Sequence, residues 1–419
     1  MTETLLVPDR VFDGSHTREG LVVGIAGDRI SYVGPEAGAP DAPRVRLEGA
    51  TLTPGLIDMH VHVSPWTAYG FIAAGVTTVR DLANDLDRAP GMMQRVPQQF
   101  RPTVHWVGPA LDGGEVNWPT VSRGHATPED MAASVRELAE RGVEAVKLYA
   151  NVTGEFMAAA VREAREHGIR VVSHPGTARL TEAVEAGVDE VQHLAGALAR
   201  DLGYEPGDPA AVDAFLALHV DHCPTLIVWE GMAMIGAPRA HRDTGRAWVP
   251  AEMELAWSES RHATQPADER NLRLADLVER MRLVKALYDA GRTIVVGSDA
   301  AFIGLAPGFS LHDELGLLFL SGVPPLDVMR AATAGNARVL GIEGEAGVIR
   351  EGARADLVAF DGDPTSVITD VGRIRDVWVR GARVDAAELR AAADLEFTRP
   401  TDGPPDQLAL QRYIPAAQY

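Results

Sequence analysis

Cysteine occurs once in the 419 residues, at Cys223, so no disulfide framework can hold the chain, and a reducing cytoplasm is the plain expectation. No run of about 18 uncharged apolar residues is present, which argues against a helical membrane span. The opening Met1-Thr2-Glu3-Thr4 has no basic stretch leading into an apolar one, so no secretory leader is expected. Basic residues are outnumbered, 39 Lys+Arg against 59 Asp+Glu, for a formal net charge of −20. That balance argues against nucleic acid or an anionic membrane as partner and leaves a small-molecule substrate, with room for a homo-oligomer. Lysine is scarcer still: Lys147 and Lys285 are the only two. Arginine has taken nearly every place where a bare positive charge suffices, so a retained lysine points to a need for an amine.

What is present is ordinary for a globular chain: 46% hydrophobic and 23% charged residues, with 41 Gly and 27 Pro to serve many turns. The length suits one large barrel and a lesser domain. Residues 5–50 alternate short β-like runs with Gly, Pro and Asp turns, and residues 346–384 repeat the pattern, most clearly at Asp356–Phe360 and Asp376–Val379. Neither piece can bury a core alone. Residues 1–55 and 346–384 are therefore expected to pair as one composite β-sandwich.

Between them, residues 56–345 read as strand then helix, repeated. Apolar strands are expected to end at His60–Val63, Val79–Asp81, Val107–Pro109, Lys147–Tyr149, Ser173–Pro175, Gln192–Leu194, Thr225–Val228 and Gly297–Asp299. Helical patterns such as Pro128–Arg141, Glu155–His167 and Leu326–Val339 follow several of them. Eight buried strands with intervening helices mean an α/β fold, a parallel (β/α)8 TIM-like barrel or a doubly wound sheet, and no GxGxxG follows the first strand to favour the second. The segment Trp229–Pro266 is an insertion long enough to act as a lid. Residues 385–419 are read as a C-terminal helix and an extended tail.

The strongest chemical signal is Pro54-Gly55-Leu56-Ile57-Asp58-Met59-His60-Val61-His62. Side chains two apart in a strand face the same way, so His60 and His62 aim together into the barrel mouth and can chelate one ion. Lys147, His174, His193 and Asp299 likewise stand at the ends of apolar strands, where an ionisable group needs a reason. A hydrogen-bonded core residue explains any one of them. All of them at the same end of successive strands read as a site.

These motifs, with GVTTVRD (75–81), VKLY (146–149), VSHPG (172–176), VQHL (191–194), VGSDA (296–300), LHDEL (311–315) and RADLVAFDGDP (354–364), resemble the amidohydrolase superfamily. The likeness is to its branch of imidazolonepropionase-like enzymes and metal-dependent Xaa-Pro dipeptidases, and it covers nearly the whole chain. The resemblance implies two divalent metal ions, zinc first, with manganese or iron also suited to mixed nitrogen and oxygen ligands. It implies that His60, His62 and Asp299 hold one ion and His174 and His193 the other. Lys147, carboxylated by CO2, would bridge them. Physical chemistry supports that last role, because two dications need an anionic bridge, and a neutral amine takes up CO2 whereas a guanidinium does not.

The reaction so implied is hydrolysis of an amide or peptide C–N bond of a small substrate such as a dipeptide or N-acyl amino acid. Asp299 would move the proton, and Tyr149, on the same face as Lys147, would hydrogen-bond the developing oxyanion or pack beneath the site. Arg123 and His125 are candidates to bind a substrate carboxylate. In the insertion, Trp229, Trp248 and Trp257 would form apolar walls, with Arg239, Arg242 and Arg246 as carboxylate partners. Ser310 is expected to cap a helix whose first turn holds His312 and Asp313, and Lys285 is expected on a solvated helix face. A mononuclear cyclic-amide hydrolase, a lactonase or esterase using the same site, and a non-catalytic scaffold are the competing readings. A scaffold should have lost ligands, and none is missing.

Overall fold

The computed structural model describes residues 3–114, 116, 118–234, 245–261, 266–302 and 304–399. Strands from both ends of the chain join in one eight-stranded sheet. Its path runs Ala382–Arg383, Ile374–Val379, Leu357–Asp361, Arg44–Pro54, Thr4–Phe12, Leu21–Ala26 and Arg29–Pro35, with Thr17–Glu19 beside Thr4–Phe12. The two ends meet antiparallel, Leu357 opposite Pro54 and Asp361 opposite Ala50. Alternation explains why neither end suffices alone. Leu357 and Ala359 enter a core with Leu6, Val23, Leu47, Leu52 and Trp378. Their neighbours Val358 and Phe360 face the other way, into the main core with Phe12, Leu56 and Val76. Hydrogen bonding thus makes one sheet of the expected composite, not two separate ladders.

The chain then enters a ring of parallel strands: Leu56–Val61, Val76–Asp81, Thr103–Trp106 continuing as Ala110–Gly113, Ala145–Leu148, Arg170–Ser173, Glu190–Gln192 and Asp221–Cys223. The third strand is bent. Its first piece pairs with the second strand and its second piece with the fourth, so the covalent chain itself links a three-stranded and a six-stranded sheet. Ser122–His125 pairs with Ala110–Gly113 at that seam.

The opposite seam is bridged by residues 295–300. Val295 N–H donates to the His222 carbonyl (2.8 Å) and Met59 N–H to the Val296 carbonyl (3.0 Å). Asp299 N–H then donates to the His60 carbonyl (2.7 Å) and His62 N–H to the Ala300 carbonyl (2.6 Å). Gly297 permits this approach, since a Cβ there would stand 2.7 Å from the His60 nitrogen and 2.9 Å from Cys223 Sγ. The architecture is a TIM-like α/β barrel beside a β domain.

Three expectations about elements need correction. The seventh strand is Asp221–Cys223, and Thr225–Val228, expected as the end of that strand, instead turns into the helix Leu226–Ala233. Thr225 turns the chain with φ 42°, and the buried Glu314 carboxylate accepts the Ile227 N–H at 2.8 Å, an N-terminal cap supplied from far along the chain. Next, the helix around His312 spans Phe309–Leu320 with Gly308, at φ 77°, as its cap, which leaves Ser310 buried inside the first turn. Finally, the insertion contains a helix, Ala251–Arg261, and the long helix Ala267–Asp289 follows it. Lys285 of that helix is exposed and paired with Asp289, as expected of a solvated face. Helix Ala386–Phe397 opens the C-terminal segment, while the tail 400–419 lies outside the described residues.

His222 gives the fold a pH dependence. Burial holds its imidazole pKa down at about 3, against a stack with Phe215 at 4.9 Å between ring centroids. The unfolded chain, with an ordinary histidine, binds the proton that the folded chain refuses, so stability falls as pH drops from about 6.5 toward 3. His222→Leu is expected to flatten that acid limb by up to about 1.4 kcal/mol per pH unit, read from urea midpoints between pH 7 and 4. An unchanged limb would show that His222 is protonated in the folded protein.

Candidate metal centre

His60 and His62 leave the end of the first barrel strand, and Asp299 arrives beside them on the segment 295–300 that bridges the seam. Asp299 Oδ1 lies 3.2 Å from His60 Nε2 and 3.1 Å from His62 Nε2. Donor atoms of all three fall within 4.8 Å of one another. A backbone turn at φ 61° sets Asp299 there. His174 and His193 follow the fifth and sixth strands, and their imidazoles continue the ring. His193 is 4.8 Å from His60 and 4.7 Å from His174, centroid to centroid. Lys147 ends the fourth strand, 2% exposed, with its charge felt by His60, His62, His174 and His193 alike. The structure thus brings the six expected ligands to one rim.

The electrostatics of His60, His174 and His193 suit neutral nitrogen donors. Burial, then the Lys147 charge, lowers His60 well below the ordinary histidine range and His174 to about 3. Burial, then His174, does the same to His193. His62, whose side chain is 40% exposed, is lowered by desolvation but lifted further by the Asp299 hydrogen bond and charge. Burial brings Lys147 down to about 8 against the pull of Asp299. About a tenth of such an amine is neutral at pH 7.

Residues the sequence reading passed over orient these donors. Gln192 Nε2 donates to Glu190 Oε1 at 2.6 Å, and a carboxylate can only accept, so Gln192 Oε1 is the atom that faces His60 Nδ1, also at 2.6 Å. His60 therefore carries its proton on Nδ1 and offers the Nε2 lone pair to the centre, the support metal-bound histidines commonly have. Glu190 is anchored in turn by Arg80, whose Nη1 donates to Oε2 at 3.0 Å, whose Nη2 also reaches Oε1, and whose Nε donates to the Met59 carbonyl at 2.9 Å. His193 Nδ1 meets Thr225 Oγ1 at 2.6 Å. Asp58 accepts from Ser298 N–H (2.9 Å), Ser298 O–H (2.6 Å) and His60 N–H (3.2 Å), lacing the first strand to the bridging segment 295–300, while burial raises its carboxyl to about 7. A signal for these was present: Asp58, Arg80 and Glu190 are charged residues inside apolar strands. The donor set and its fixed tautomer fit a metal ion.

Other expected site residues lie as follows. Tyr149 stacks edge-on against His174 at 5.2 Å, and its hydroxyl accepts from Trp118 Nε1 at 2.6 Å. His125 is buried, with Nδ1 on the Asp112 carbonyl and Nε2 on Ser134 Oγ, each at 2.9 Å. Arg123 pairs with Glu137 at 2.6 Å. Both thus engage helix Pro128–Glu140. Trp229 is buried, and its indole N–H donates to the His193 carbonyl at 2.9 Å, beneath a ligand rather than along an open wall. Trp257 is 1% exposed against Trp66, Arg390 stacks on Trp248, and Arg246 faces Glu254 at 3.6 Å. Arg239 and Arg242 lie outside the described residues.

A parallel barrel that collects imidazoles, a lysine and a carboxylate at the carboxyl ends of its strands defines a class, the TIM-like barrels that carry their site on that face. Within that class the chain belongs to the amidohydrolase family, whose model matches residues 51–384. Its fold is shared with bottromycin amidohydrolase (25% identity, TM-score 0.74, covering 94% of this chain and 89% of that one). It is shared also with a Xaa-Pro dipeptidase solved with methionine in its active site (20%, 0.69, 92% and 100%). Ochratoxinase of A. niger is a third such structure (19%, 0.69, 91% and 95%). Among curated proteins, adenine deaminase of Paracoccus denitrificans (strain Pd 1222) is 42% identical over 76 residues, which span 15% of this chain and 13% of that protein.

Proposed function

We propose that the protein is a binuclear metal-dependent hydrolase that cleaves an amide bond of a small substrate such as a dipeptide or an N-acyl amino acid. The observation that carries this reading is the convergence of His60, His62 and Asp299 donors within 4.8 Å, with His174, His193 and Lys147 adjoining them at the same rim. His60, His62 and Asp299 would hold one ion, His174 and His193 the other, and Lys147, as its carbamate, would join them. Divalent ions bound there supply an acidified water and a polarised carbonyl. The chain supplies the rest. Asp299, between two imidazoles, takes a proton from the water and delivers it to the leaving nitrogen, which cannot depart as an anion. Tyr149, beside His174, is placed to donate to the developing oxyanion. Family membership and the likeness to an amidohydrolase at 25% identity support a carbon–nitrogen bond as target.

The test is a screen of dipeptides, N-acyl amino acids and small lactones against protein stripped with a chelator and reloaded with zinc or manganese. Stripping is expected to abolish turnover and reloading to restore it, with an amide the best substrate. Lactones or esters turning over far faster than every amide would sink the amide assignment. Turnover that survives metal removal would sink the whole reading.

A further inference from the structure

We propose that Arg280 and Trp229 form a clamp on the backbone of His193, and that the long helix Ala267–Asp289 thereby fixes the His174/His193 half of the metal centre. The inference rests on the two-metal reading above.

His193 and Leu194 both adopt left-handed backbone, φ 63° and 50°, and neither is glycine. Such a conformation persists only where the surroundings over-determine it. Here the His193 carbonyl is held from two sides, by Trp229 Nε1 at 2.9 Å and Arg280 Nε at 3.3 Å. The guanidinium carbon of Arg280 lies 3.4 Å over the Trp229 ring, so the two donors brace one another. Thr225, just before the helix that carries Trp229, holds the other end of the same residue through Nδ1.

Arg280 is an expensive choice for mere packing. It is 4% exposed, and among the described residues no carboxylate comes within ion-pair distance of it. The Asp276 carboxylate, one turn away, is taken by both terminal nitrogens of Arg200, at 2.6 and 2.7 Å. A buried guanidinium without a carboxylate is costly, and what this one faces instead is a carbonyl, an indole and the Asp276 carbonyl at 3.4 Å. The arrangement makes sense if the position of the His193 ring is what is being fixed. Arg280 and Trp229 touch neither substrate nor metal in this reading. They are positioning residues, and both sit on helices outside the ring of strands.

The test is ion retention, not turnover. Wild type, Arg280→Met (which keeps the stem and loses the donors and charge) and Trp229→Phe (which keeps a ring and loses the N–H) are loaded with cobalt or zinc. Each is challenged with a chelator, and release is followed alongside metal-to-protein ratios and thermal melting. Wild type is expected to hold two ions per chain. Both variants should release one of the two at least tenfold faster and the other at the wild-type rate, with the melting temperature of the metal-free proteins little changed. Loss of support around a metal-bound histidine weakens binding on the order of 10- to 100-fold. Variants that release both ions at wild-type rates, or both equally faster, overturn the clamp. If Arg280→Met does not fold, the same criteria apply to Trp229→Phe. A single ion in wild type overturns the two-metal reading and the clamp with it, whereas two ions with unchanged variants overturn the clamp alone.

Discussion

Replacing Lys147 by alanine is expected to reduce kcat/KM by roughly 10³-fold or more, as befits removal of the group that would join both metal ions in the proposed site. Lys147 is 2% exposed, ends the fourth barrel strand and is electrostatically in touch with four histidines of the centre. An ammonium so placed would repel cations, whereas the carbamate made by adding CO2 to the neutral amine is an oxygen-bearing anion able to attract them. Lys147→Arg should be as inactive as the alanine variant, because a guanidinium does not form the carbamate. Formate, acetate or propionate added to Lys147→Ala should return part of the activity by standing in for the lost carboxylate. The decisive measurement is a carbamate resonance in the native protein exposed to ¹³C-labelled bicarbonate. Active, fully metallated protein with no such resonance would leave the lysine without this role.

The second large effect is on stability. Glu190→Gln is expected to destabilise the protein by about 3–5 kcal/mol, because it removes one member of a buried pair and leaves the other charged. Arg80 and Glu190 are 3% and 0% exposed, and the guanidinium donates to both carboxylate oxygens. Burial works to raise Glu190, but the Arg80 charge and hydrogen bonds hold it below the ordinary range. In a protein of this size the loss corresponds to a drop of roughly 3–6 °C in Tm. Arg80→Met combined with Glu190→Leu should recover most of that stability, since an apolar pair often replaces a buried ionic one without penalty. It should not recover metal affinity, because Gln192 would have lost the carboxylate that turns its oxygen toward His60. A Glu190→Gln variant melting within about 1 °C of wild type would show that the pair contributes no net stability.

The metal-ligand candidates were legible because the rule that finds them is local: an ionisable residue at the end of an apolar strand needs a reason. The same rule, applied inside the strands, would have marked Asp58, Arg80 and Glu190. What those residues bond to was not legible, since Gln192 meets His60 across 132 positions and Glu190 meets Arg80 across 110. The seventh strand was misplaced for a similar reason. Thr225-Leu226-Ile227-Val228 has the composition of a buried strand, yet Glu314 caps the helix that starts there from 87 residues away. The indole of Trp229, read as a wall for substrate in the insertion, points at a backbone carbonyl because the helix Leu226–Ala233 carries it.

The seam at residues 295–300 bears on how the protein comes into being. During synthesis the first strand, with His60 and His62, emerges early, but the backbone groups that finish the ring lie more than 230 residues later. The sheet beside it waits longer, for Leu357–Asp361 to pair with Arg44–Pro54. A growing chain therefore holds two histidines of the centre while more than 230 further residues are added before the aspartate that completes their set. Contacts of such long sequence separation form slowly and leave strand edges bare in the meantime. In the proposed metal site, capture of the ions would follow the synthesis of Asp299, and a ribosome stalled before that residue would carry a product unable to assemble the site, however well its earlier strands had folded.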